Sequence, residues 1–268
     1  MTRWPGDGEP LLLTHGAGLG ADVFSPAGPR LARRWDVYAV DLRGHGRSDG
    51  DGDHEIAPHT EDLLAVVDEL DLSKAHVFGH SFGGLIALQA AVEAPDRFAG
   101  VLAFEPAVPH PDETPAATAE RLAQNTRWIL ARDAWWPDAD ALRAHFSTVR
   151  AYSELGAEFV DALITHGTVP ENGGVRLRSG PEVEAELFRV AVTQAGGVGH
   201  RDRLSRLGTA AVPITLVCGD GSAFRLDVYR RVAALAGVGL DIIPGGHFAP
   251  FQSVDRFVAL IEEHLHDR

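Results

Sequence analysis

Gly79-His80-Ser81-Phe82-Gly83, followed by Gly84, sets a serine between glycines two residues to either side. That G-x-S-x-G spacing suits a hydroxyl held on a strained strand-to-helix turn, which leaves no room for side chains at the flanking positions. The motif lies between an apolar run ending at Gly79 and a helical pattern starting near Gly83. A turn of this kind exposes the hydroxyl above the strand ends. The chemistry it offers is nucleophilic attack on a carbonyl carbon. Serine is a poor nucleophile at neutral pH, so a base must stand within hydrogen-bond reach.

Among 13 histidines, His247 is the expected base. It follows the last apolar run in Ile243-Pro244-Gly245-Gly246-His247-Phe248, where two glycines let the loop fold back across the strand ends. The rivals are less apt: His45 sits in a glycine-flanked loop, and His54, His59 and His110 lie in polar segments. His145, His166 and His200 belong to the middle of the chain, and His264 and His266 to its closing helix. Two carboxylates compete to orient the base. Glu105 ends the apolar run Val101-Leu102-Ala103-Phe104-Glu105-Pro106. A charge there is costly unless it has a partner, and its long side chain can fix the tautomer that turns Nε2 toward serine. Asp220, in Cys218-Gly219-Asp220-Gly221-Ser222, lies too close to a strand end to be the comfortable choice. Glu105 is the expected acid.

An oxyanion hole needs two backbone N–H groups aimed at the developing charge. Phe82 supplies one and Ala17 the other, in the glycine-rich loop His15-Gly16-Ala17-Gly18-Leu19-Gly20. The same loop fits a dinucleotide fingerprint, Gly16-x-Gly18-x-x-Ala21 with Asp41 as a ribose acid. Against that, Phe24-Ser25-Pro26-Ala27-Gly28-Pro29 cannot continue as the long crossover helix that the fingerprint requires.

These groups need a scaffold that brings strand ends to one rim. Short apolar runs at Leu11–Thr14, Asp36–Val40, His76–Gly79, Gly100–Phe104, Ile214–Cys218 and Leu240–Ile243 predict parallel strands buried on both faces. Helices are expected at Glu61–Leu70, at Gly83–Glu93 and from about Val254 to Leu265. Between Pro109 and Leu207 the pattern predicts helices only: Glu120–Ala131, Ala139–Arg150, Glu154–Thr165 and Glu182–Gln194. The expected organisation is a core of residues 1–108 and 208–268 with a helical cap, or lid, of residues 109–207. Trp128, Trp135, Trp136 and Phe146 of that cap either line an apolar pocket or pack the cap onto the core.

The chain has 268 residues, 45% hydrophobic and 23% charged, the composition of an ordinary globular protein. A formal charge of -14 makes nucleic acid and anionic lipid poor partners. The single cysteine, Cys218, excludes an intrachain disulfide and a cysteine-based zinc site. The N-terminal residues lack the apolar run of a secretory signal, and no stretch of about 18 apolar residues predicts a membrane span. A cytoplasmic protein is expected.

These motifs resemble the α/β-hydrolase superfamily: the His15-Gly16 loop, Asp41-Leu42-Arg43-Gly44-His45-Gly46-Arg47-Ser48, the serine turn and the His247 loop. The resemblance implies a mostly parallel sheet with helices on both faces and an inserted helical lid. It also implies a base after the last strand, and a structural role for Arg43 and His45. In that superfamily the acid most often stands about three residues beyond a glycine after the strand before the histidine; here that position holds Ser222. A glutamate after the strand following the nucleophile is a minority arrangement, found in some haloalkane dehalogenases and in zearalenone-type lactonases. Dehalogenases carry aspartate where Ser81 stands, whereas Gly245-Gly246-His247-Phe248 with Pro250 looks like the lactonase group. The usual first hairpin is expected to be short or missing. The reading is a serine hydrolase cleaving a carboxylic ester or lactone of a fairly apolar, cyclic or aromatic molecule, without metal or organic cofactor. The alternative is a tailoring enzyme using the same residues for cyclisation or acyl transfer of a polyketide-like product. A small-molecule substrate is the expected partner, and a homodimer is left open.

Overall fold

The computed structural model describes residues 1–50, 52–108, 112–149, 152–194, 206–222 and 226–265. Five strands come first: β1 (Thr2–Trp4), β2 (Pro10–Thr14), β3 (Asp36–Val40), β4 (Ala75–His80) and β5 (Phe98–Phe104). Three short strands follow within the insertion: β6 (Trp135–Trp136), β7 (Thr168–Glu171) and β8 (Gly174–Leu177). The last two are β9 (Ile214–Gly219) and β10 (Gly239–Ile243). The main sheet has seven strands in the order β1-β3-β2-β4-β5-β9-β10. Every pairing in it is parallel except that of β1, which runs antiparallel to β3 and covers that edge with a single short strand.

Alternation along the central strands shows why the sheet is buried on both faces. Leu11, Leu13, Phe78 and Leu102 enter one hydrophobic cluster with Phe24, Phe251 and Phe257. Their neighbours Leu12, Val77, Val101 and Ala103 enter the other, with Leu63, Val67 and Ile86. Successive side chains point to opposite faces, so a strand covered by helices on both sides must be apolar throughout. β10 departs from that expectation: it is the sheet's last strand, only half-buried, and Ile242 is exposed.

The expected helices appear, the first two with longer bounds, Ile56–Glu69 and Phe82–Glu93, and the last ending one residue earlier, Val254–His264. In the insertion they are Pro115–Leu130, Ala139–Thr148, Ala157–His166 and Pro181–Gln194. The expectation of no strand there is corrected by the antiparallel sheet β6-β8-β7. Its strands are two to four residues long, too short for alternation to register. The signal was the turn instead: Asn172 and Gly173 join β7 to β8 with φ of 47° and 79°, the two-residue Asn-Gly hairpin connection. Residues 109–111, with His110, and 195–205, with His200, lie outside the described residues, as does His266. The insertion shares the core of the sheet, because Phe146, Tyr152, Phe159 and Leu163 belong to the same cluster as Leu11 and Phe78.

Candidate active site

Ser81 stands between β4 and the helix Phe82–Glu93 with φ 52° and ψ -115°, a conformation that L-residues avoid. Three glycines permit it. A Cβ on Gly79 would come within 2.6 Å of the Gly84 Cα, one on Gly83 within 2.6 Å of the Thr14 carbonyl oxygen, and one on Gly84 within 2.9 Å of the Gly79 carbonyl oxygen. Backbone bonds tie the serine to the neighbouring strand: its N–H donates to the Phe104 carbonyl at 3.0 Å, and its carbonyl accepts from Ala107 at 2.9 Å.

Glu105 follows at the end of β5, also at positive φ (43°), and is 1% exposed. Its carboxylate is fully engaged. Oε1 accepts from the Gly219 N–H at 2.9 Å, while Oε2 accepts from the Ser222 hydroxyl at 2.8 Å and lies 2.6 Å from His247 Nδ1. A carboxylate at Nδ1 holds the proton there and leaves Nε2 as the acceptor. The His247 ring lies 4.6 Å from that of His80, the residue immediately before Ser81. Asp220 does something else: its Oδ1 accepts from the Gly245 N–H at 2.9 Å and pins the loop that carries His247.

Two more side chains clamp that loop. The His80 Nε2–H donates to the His247 carbonyl at 3.0 Å, and Glu154 accepts from the Phe248 N–H at 3.3 Å. Burial, with the His247 charge adding to it, holds the His80 pKa well below its ordinary value, so the ring is a neutral donor.

The loop after β2 is fixed by two further buried histidines. His15 donates from Nδ1 to the Gly16 carbonyl at 2.8 Å and accepts at Nε2 from the Leu42 N–H at 3.1 Å. His45 donates from Nδ1 to the Arg43 carbonyl at 3.1 Å and accepts at Nε2 from the Gly18 N–H at 3.1 Å. Burial lowers the pKa of both, His45 most, which keeps Nε2 free to accept. The Gly18 N–H goes to His45, the Ser81 N–H to the Phe104 carbonyl and the Gly83 N–H to the His15 carbonyl, so the N–H after Ala17 and those on either side of Phe82 are committed to the fold. Gly16 is small because His80 and Ser81 are close: a Cβ there would lie 2.9 Å from His80 Nδ1 and 3.1 Å from the Ser81 Cβ.

Asp41 is spent on structure, accepting from the Ala21 N–H at 2.8 Å, and residues Ala21–Phe24 form a single 3-10 turn. Neither feature suits a dinucleotide. Burial, then the Glu105 carboxylate, pushes the Cys218 thiol up to about 11, which makes it a poor nucleophile.

Of the four insertion aromatics, Trp136 and Phe146 border a cleft beside Gly18 together with Tyr152 and Leu177. Trp128 and Trp135 are 51% and 41% exposed on the outer surface; Arg132 lies over the Trp128 ring, and the Trp135 indole donates to the Glu171 carbonyl. Sequence reasoning missed His15, His80, Glu154 and Ser222 as partners of the loops. His15, His80 and Ser222 gave one sequence signal, position beside the glycines of those loops, which says nothing of what each touches; Glu154, in the turn Tyr152–Glu154 of the insertion, gave none.

A family model described as alpha/beta hydrolase fold matches residues 9–254. Over 254 residues the chain is 32% identical to the pimeloyl-(acyl-carrier protein) methyl ester esterase of Edwardsiella ictaluri, covering 91% of this chain and 87% of that one. Among solved structures, E-2-(acetamidomethylene)succinate hydrolase superposes with a TM-score of 0.81 at 24% identity, over 97% of this chain and 92% of that one. The thioesterase domain from the curacin biosynthetic pathway superposes at 0.79 and 22% identity, over 97% and 93%. These two likenesses concern the fold. By family model and by full-length similarity, this chain belongs to the alpha/beta hydrolase fold family.

Proposed function

We propose that the protein is a serine hydrolase of carboxylic esters or lactones. The observation that carries the reading is the 2.6 Å contact of Glu105 Oε2 with His247 Nδ1, on a ring 4.6 Å from that of His80, the residue before a serine held at φ 52°. Ser81 Oγ attacks the acyl carbon and its proton passes to His247 Nε2. The Ala17 and Phe82 N–H groups receive the oxyanion. Collapse of the tetrahedral adduct breaks the C–O bond, and the imidazolium returns its proton to the leaving alkoxide. In a lactone that alkoxide stays tethered to the acyl-enzyme. Water, deprotonated by His247, then attacks the acyl-enzyme and releases the acid and Ser81. No step calls for a metal or an organic cofactor.

The acid on β5 and the sequence Gly245-Gly246-His247-Phe248 with Pro250 favour a lactonase similar to the zearalenone type. The aromatic wall of Trp136, Phe146 and Tyr152 suits a cyclic or aromatic acyl group. Residues 109–207 act as the lid over a core of residues 1–108 and 208–268. Among the described residues no helix is long and apolar enough to cross a membrane. The substrate is a small molecule met in the cytoplasm, away from nucleic acid and lipid.

The test is hydrolysis of short-chain nitrophenyl esters and aromatic lactones by the wild type and by Ser81→Ala, in isotopically labelled water. Label in the acid product and loss of activity in the variant are expected. Unchanged hydrolysis in Ser81→Ala overturns the nucleophile, and turnover without label favours cyclisation or acyl transfer.

A further inference from the structure

The cleft beside Gly18 ends in a paired set of charges that the proposed reaction does not use. Its apolar wall is Trp136, Phe146 and Leu177, and its polar end is Arg132, Tyr152 and Glu184. The Arg132 guanidinium pairs with Glu184, donates to the Tyr152 hydroxyl at 3.3 Å and donates through Nε to the Ile129 carbonyl at 3.4 Å. The two charged side chains are only 14% and 16% exposed. A Cβ on Gly18 would come within 2.5 Å of Glu184 Oε2, just as one on Gly16 would come within 3.1 Å of the Ser81 Cβ. The pair and the serine therefore touch the same loop two residues apart, with Ala17 between them.

Opposite charges closed on one another, with the Asp133 carboxylate in the same lining, leave this end of the cleft without net positive charge. A second carboxylate brought beside Glu184 meets like charge at reduced dielectric, and its own hydration is lost. The guanidinium has five N–H groups, of which these contacts engage three, so it can still donate to a neutral oxygen. We propose that the Arg132–Glu184 pair sets acyl-group specificity: it admits esters and lactones whose far end carries a neutral acceptor, such as an amide, ketone or hydroxyl, and rejects acyl groups ending in a free carboxylate. The inference rests on the serine hydrolase reading and names the substrate class of that same site.

Two esters separate the possibilities, the 4-nitrophenyl monoester of adipic acid and the same ester with its free acid converted to the methylamide. The wild type is expected to favour the amide by at least about tenfold in kcat/KM. Glu184→Gln leaves the Arg132 cation unbalanced and is expected to turn the preference toward the carboxylate. Breaking a buried pair can unfold a protein, so the double variant Arg132→Met, Glu184→Met is made alongside and is expected to bring the ratio near one. The ratio of two substrates on one preparation does not depend on how much of it is folded. A wild-type ratio at or below one, or a ratio that neither variant moves, overturns the inference. Ser81-dependent turnover with an unmoved ratio defeats this inference alone, whereas turnover that survives Ser81→Ala, or no turnover of either ester, defeats the hydrolase reading and this inference with it.

Discussion

The Ser222 hydroxyl donates to Glu105 Oε2 at 2.8 Å, the same oxygen that faces His247 Nδ1 at 2.6 Å. Ser222 occupies the position where the resemblance leads one to look for the acid. Instead of a carboxylate, it supplies a donor to a carboxylate that arrives from the neighbouring strand. β5 pairs with β9 in parallel register, so the ends of both strands reach the same rim and either can serve the imidazole.

The two candidate acids are separable by conservative substitution. Glu105→Gln puts an amide against His247 Nδ1 and removes the charge that stabilises the imidazolium. It is expected to lower kcat about 10³- to 10⁴-fold with KM little changed. Asp220→Asn keeps an acceptor for the Gly245 N–H and is expected to stay within a few-fold of the wild type. Steady-state kinetics on one ester ranks them, and the reverse order assigns the acid to Asp220.

Changes at Ser222 test the hydroxyl's part. Ser222→Ala removes one hydrogen bond to a buried carboxylate and is expected to cost a charge-assisted bond, about 1.5–3 kcal/mol, shared between stability and kcat. Ser222→Asp is expected to do worse although it restores the family's usual residue type, because two carboxylates at that distance cannot both ionise without cost. Thermal unfolding and kcat on the same preparations check both.

Acid should weaken the fold through its neutral histidines. His15, His45 and His80 are buried with lowered pKa values, and burial holds His59 at about 3 against an ordinary 6.5. Above pH 6.5 folded and unfolded chains are both unprotonated at these rings, and their titration costs no stability. Below it the unfolded chain binds protons that the folded chain refuses. For His59 stability falls by about 1.4 kcal/mol per pH unit down to about pH 3, and His15, His45 and His80 act in the same direction. Urea unfolding from pH 8 to pH 4 measures the slope. Both His59 ring nitrogens are buried without a hydrogen-bond partner among the described residues, so His59→Leu should raise stability and flatten the slope by one proton. An unchanged slope would show that His59 titrates normally.

His45 holds the loop that carries Ala17 by accepting from the Gly18 N–H at 3.1 Å. His45→Ala frees that loop without touching Ser81, Glu105 or His247. It is expected to reduce kcat about 10- to 100-fold and KM by little, since the loss falls on the oxyanion rather than on substrate binding. A change in KM alone would place His45 in binding.

The local sequence determined much of this. The serine turn needed only its glycines and a buried strand before it, because backbone clash is a near-neighbour effect. Central strands such as Leu11–Thr14 declared themselves by unbroken apolarity, and Glu105 by a charge ending such a run. What the chain order could not decide was how separate strand ends meet. The partners Ser222–Glu105, His80–His247, His45–Gly18 and Arg132–Glu184 are 117, 167, 27 and 52 residues apart. The small sheet of the insertion left no such mark, because strands of two to four residues hold only one or two repeats of the alternation. Strand propensity and turn chemistry act over a few residues, whereas a hydrogen bond between distant loops exists only after the sheet has set their heights and the core has fixed their approach.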